Sequence, residues 1–79
     1  METYREQYRM LGLRIAYYRK KANWTQEQFA KQVGCSPGFL SQIESNSGKY
    51  IKGISLPMLL RIAEVLDIHV SKLFEESTE

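Results

Sequence analysis

Gly34 stands between two short runs of helical period, and the residues around it leave this chain few alternatives. Upstream, Thr25 is placed to cap a helix, and Gln28, three residues on, to reach back to it in a Thr-x-x-Gln capping box. Trp24 before that cap and Phe29 four residues after it have the spacing of a hydrophobic staple, so the helix start is marked twice. Phe29, Ala30 and Val33 share one face, and Gly34 follows where a C-terminal cap in the left-handed conformation favours glycine. Ser36 is a second cap, and Pro37 takes the first helical position, where its missing N–H is not needed. Two helices joined by a turn of about three residues are therefore expected between Thr25 and Glu44. Leu40 and Ile43 face inward from the second of them, while Pro37, Gly38, Phe39, Ser41 and Gln42 face out.

Two short helices hinged at a glycine, the second presenting a polar outer face, have the architecture of a DNA-reading helix-turn-helix. From Leu13 to Phe74 the chain resembles the lambda-repressor-like (Xre-type, phage-repressor-like) helix-turn-helix family. The resemblance runs through Arg14-Ile15-x-x-x-Arg19, Trp24-Thr25-Gln26-Glu27, Phe29-Ala30, Val33-Gly34, Ser36-Pro37, Leu40-Ser41-Gln42-Ile43-Glu44, Ser55-Leu56, Leu59-Leu60-x-Ile62-Ala63 and Leu73-Phe74. It implies a compact five-helix, all-α fold with helix three in the major groove and Gln26 near a phosphate. It also implies that Arg19 pairs with Glu44, fixing helix three on helix one.

A chain of 79 residues accommodates one domain, expected over 1–79 with a core at about 9–74 and an acidic, frayed tail at 75–79. At this size a binding surface is easier to build than an enclosed active site. Cys35 is the sole cysteine, so no internal disulfide can form, and its simplest role is that of a small buried residue. No signal-like apolar run follows Met1 and no stretch approaches a membrane span, which fits a cytoplasmic protein. The net charge of +2 is unevenly spread: residues 1–52 carry nine Lys or Arg against four Glu, and residues 53–79 two against five acidic residues. The basic half contains the two hinged helices, and a positive face there attracts phosphate through a salt-sensitive term. Solvated helix faces are the plainer reading of the same charges.

Helix one is expected from about Tyr4 or Arg5 to Lys21, with Leu11, Ile15, Tyr18 and Ala22 as its inward stripe and Asn23 ending it. Ser55 begins a fourth helix whose apolar face is Leu59, Ile62, Ala63 and Leu66, and a fifth follows His69 with Val70, Leu73 and Phe74 packing inward. Between Glu44 and Ser55 the connection Ser45–Ile54 is longer than the family pattern. Lys49, Tyr50 and Lys52 in it supply two cations and a phenol to a phosphate backbone, unless Tyr50 covers the core edge and the lysines stay in water.

On helix three, Gln42 is the first choice for a base contact, because a carboxamide pairs with adenine N6 and N7. Phe39 has a ring suited to thymine methyls; Gly38, Pro37 and Ser41 complete the outward face, the first two as weak readers. Phosphate contacts are expected from Gln26, Ser36, Lys49, Tyr50 and Lys52. With no arginine or lysine on helix three, specificity leans on A·T steps and DNA shape. A homodimer on a palindromic operator is expected, through helices four and five or through the helix-one tyrosines Tyr4, Tyr8 and Tyr17. The expected function is a sequence-specific regulator of transcription, a repressor by family habit. A protein-interaction module, such as an antitoxin that also binds its own operator, is the alternative. No nucleophile, metal-ligand or phosphate-loop motif is present, so neither an enzyme, a metal nor a cofactor is expected, and His69 has no partner nearby in sequence.

Overall fold

The computed structural model describes residues 2–46 and 52–75. Four α-helices and one 3₁₀ helix follow in order: α1 Glu2–Lys21, α2 Gln26–Val33, α3 Pro37–Ser45, α4 Leu56–Leu66 and the 3₁₀ helix Val70–Phe74. No strand occurs among the described residues, and the fold is all-α.

Each helix boundary has a local chemical cause. Thr25 Oγ1 accepts from Gln28 N–H at 3.0 Å while Gln28 Oε1 accepts from Thr25 N–H at 3.2 Å, which completes the capping box of α2. The Trp24 and Phe29 rings lie 6.2 Å apart across the same helix start. Gly34 ends α2 at φ 96°, and the N–H groups of Gly34 and Cys35 both return to the Ala30 carbonyl. Gly34, Cys35 and Ser36 make the turn; Ser36 Oγ then accepts from Phe39 N–H to open α3 behind Pro37. Ser55 does the same for α4, and Asn23 and Asp67 supply left-handed residues after α1 and α4.

The helices meet on one core. Ile15 of α1, Phe29 and Ala30 of α2, Leu40 of α3, Ile62 of α4 and Leu73 are each fully buried in it. α1 and α3 approach so closely at Gly12 that a Cβ there would overlap the Ile43 carbonyl oxygen. Glycine inside a helix is otherwise destabilising, and here it is what permits the backbones to touch.

Three expectations are corrected. The fifth element is a five-residue 3₁₀ helix rather than an α-helix, with His69 Nδ1 accepting from Ser71 N–H at its start. A 3₁₀ turn repeats every three residues, so Val70 and Leu73 share the inner side and Phe74 is turned out, 61% exposed. Ala22 is exposed rather than inward, because α1 ends at Lys21; Gly12 and Arg19 fill out the buried stripe with Leu11 and Ile15. Of the expected acidic tail, residues 76–79 lie outside the described residues; Glu75 is exposed, 3.9 Å from Lys72 Nζ.

Candidate nucleic-acid interface

α3 is anchored from behind and bare in front. Behind it, Arg19 of α1 forms a bidentate pair with Glu44 of α3: Nε to Oε2 at 2.7 Å and Nη2 to Oε1 at 3.1 Å. Both side chains are under a tenth exposed. The remaining valences are used as well: Arg19 Nη1 donates to the Trp24 carbonyl at 2.7 Å, and Gln26 Nε2 donates to Glu44 Oε1 at 2.9 Å. The network ties the end of α1, the start of α2 and the last turn of α3 into one polar joint. Charges this buried are tolerated only with such complete pairing, and removing one member leaves the other uncompensated.

In front, Pro37, Gly38, Ser41 and Gln42 are exposed along one side of α3. A side chain at Gly38 would meet nothing within 4 Å, so no internal contact requires a glycine there. Ser36 is exposed and its Oγ serves the cap as an acceptor, leaving the hydroxyl proton available. Gln26 is half-buried; one amide N–H is committed to Glu44, and the second remains for another acceptor. Phe39 differs from the outward position expected of it: its ring is half-buried and packs against the core. The Lys52 ammonium lies over that ring, 5.3 Å from its centroid, a cation–π arrangement.

Lys52 is brought there by Asn46. This buried residue ends α3 at φ 26°, and its side chain clasps the Lys52 backbone, with Oδ1 accepting from Lys52 N–H at 2.8 Å and Nδ2 donating to the Lys52 carbonyl at 3.3 Å. Lys49 and Tyr50, the other candidates from this connection, lie outside the described residues. Gly12, Asn46 and the Trp24 carbonyl were not singled out by sequence reasoning. A lone glycine between Leu11 and Leu13 inside a helical pattern was the available signal for the first; the other two depend on how distant segments meet. Cys35, expected to be buried, is half-buried, and that burial raises its thiol pKa. Among the described residues no group of His, Cys, Asp or Glu could hold a metal ion, and no helix is long and apolar enough to cross a membrane.

The arrangement of a capped helix, a three-residue turn and a second helix presented outward now has a match among known proteins: a helix-turn-helix family model covers residues 15–73. The chain belongs to the lambda-repressor-like helix-turn-helix family. It is 33% identical over 70 residues to the HTH-type transcriptional regulator SinR of Bacillus subtilis (strain 168), which is 89% of this chain and 60% of that protein. SinR of Bacillus licheniformis matches to the same extent. The chain thus spans about three fifths of the length of these relatives. In structure it is similar to the restriction-modification controller protein C.AhdI from Aeromonas hydrophila, with a TM-score of 0.77 and 25% identity over 87% of this chain and 98% of that one. The N-terminal DNA binding domain of SinR from Bacillus subtilis superposes with a TM-score of 0.74 and 32% identity, covering 90% of this chain and 99% of that domain.

Proposed function

We propose that the chain is a sequence-specific binder of double-stranded DNA that regulates transcription, inserting α3 into the major groove. The observation that carries this is the bare, polar front of α3 on a helix locked from behind by Arg19, Glu44 and Gln26. A reading helix must hold its side chains in fixed register against base edges, and such a joint supplies that rigidity. Gln42, exposed near the middle of α3, is the principal base reader, and Ser41, Pro37 and Gly38 line the approach. The bare backbone at Gly38 allows the helix to approach DNA closely. Phe39 meets thymine methyls only with the part of its ring left open beside Lys52. Gln26, Ser36 and Lys52 contact phosphates, fixing register without reading sequence.

The chain acts in the cytoplasm as a repressor that occupies a promoter, as a homodimer on an inverted repeat with half-sites about 34–36 Å apart. α4 offers Leu60, nearly half exposed, as the centre of a self-complementary face. The regulator SinR and the controller C.AhdI, similar over most of this chain, support the regulatory reading. Selection of duplexes from a random pool at near-physiological salt tests it. An enriched inverted repeat is the expected result; weak, salt-sensitive binding without enrichment would move the function to protein interaction.

A further inference from the structure

Along the N-terminal part of α1, the start of α4 and the 3₁₀ helix border a groove of about 740 Å³. Its walls are largely apolar: Tyr4, Tyr8 and Met10 from α1, Leu56 from α4, and Phe74. Tyr4, Leu56 and Phe74 are each more than half exposed, an arrangement that leaves apolar surface in water. Arg14 also lines it, and its Nε is buried without a hydrogen-bond partner. Among the described residues the Arg14 side chain makes no hydrogen bond or ion pair.

The other charges nearby are matched. Glu6, also in the wall, takes two hydrogen bonds from Arg9, at 2.7 and 3.2 Å, which lower its carboxyl pKa. Glu75 borders a smaller hollow of about 180 Å³ on the other flank of Arg14, and reaches Lys72 rather than Arg14. A buried donor left unpaired is costly and calls for an explanation, a bound ion or ligand among them. An apolar groove of this size with a single unmatched guanidinium has the composition of a small-molecule site.

We propose that this groove binds a small amphipathic carboxylate, its alkyl or aryl body against Tyr4, Tyr8, Leu56 and Phe74 and its carboxylate paired with Arg14. No residue of α3 lines the groove, and the proposal does not rest on the DNA-reading role. The volume suits a medium-chain alkyl carboxylate or a two-ring aromatic acid.

Octanoate, decanoate and dodecanoate, titrated below their micellar concentrations into the DNA-free protein, test this by nitrogen-edited NMR. Expected are saturable shifts at the Arg14 Nε–H and at groove residues, tightening with chain length. Decanol should bind about 10- to 100-fold more weakly than decanoate, and Arg14→Gln should weaken decanoate by a similar factor. Phe74→Ala, at an exposed position, should weaken decanoate and decanol alike, which keeps the test valid if Arg14→Gln fails to fold. The proposal is overturned if decanol binds as well as decanoate, if the shifts map elsewhere, if no saturable binding occurs, or if raising protein concentration alone produces the groove shifts, since a second copy would then be the occupant. Because no DNA is present, failure here leaves the DNA-binding reading intact.

Discussion

Two faces of α1 differ in almost every physical respect. The face against α3 is closed: Gly12 lets the backbones touch, Ile15 is fully buried, and each charge of Arg19 and Glu44 has its partner. The face toward α4 and the 3₁₀ helix is open: aromatic rings stand in solvent, and among the described residues Arg14 Nε has no partner. Both are cut from the same helix, so the difference lies in what meets it. One face meets a helix that must not move, and the other meets a cavity. A closed seam transmits position, whereas an open groove stores binding capacity.

The sharpest way to break the closed seam is Glu44→Ala, which leaves Arg19 buried without its carboxylate and frees Gln26. Unfolding in urea should show a loss of about 3–5 kcal/mol. A loss within that of an exposed ion pair would mean that the joint is wet and α3 is not fixed by it. Gly12→Ala comes next. Its methyl has no room beside the Ile43 carbonyl, and the helices must separate at a cost of about 1–3 kcal/mol, measured in the same way. Unchanged stability there would show that α1 and α3 slide freely. The smallest effect concerns the front of α3. Lys52→Ala should flatten the dependence of DNA affinity on salt by about one unit while weakening all duplexes alike. An unaltered slope would confine Lys52 to covering Phe39.

What was legible in the sequence was what local chemistry decides. Thr25 with Gln28, Gly34, Ser36 with Pro37, and Ser55 each act within a few residues of themselves, and all four end or begin helices as the spacing predicts. The apolar face of α4 was equally plain, since Leu59, Ile62, Ala63 and Leu66 follow the helical period and are buried. What was not legible depends on how elements meet. Phe74 follows Leu73 in an apolar run, and only the tighter winding of the last helix turns it outward. Phe39 occupies an outward position on a helical wheel, yet the returning chain, clasped by Asn46, sets Lys52 over it, and the ring is half-buried. The bond from Gln26 to Glu44, 18 residues away in sequence, adds a role in the joint that local spacing does not give. Arg14 belongs to the same motif as Arg19, and nothing in the spacing separates a guanidinium with a partner from one without.

The central claim is that a rigidly held α3 reads DNA through its front, and Gln42 tests it most directly. The affinities of the native protein and of Gln42→Ala should be compared on the selected inverted repeat and on a scrambled duplex at the same salt concentration. A loss of about 1–3 kcal/mol on the repeat, with little change on the scrambled duplex, is the predicted result. Equal losses on both duplexes, or none on either, would contradict it.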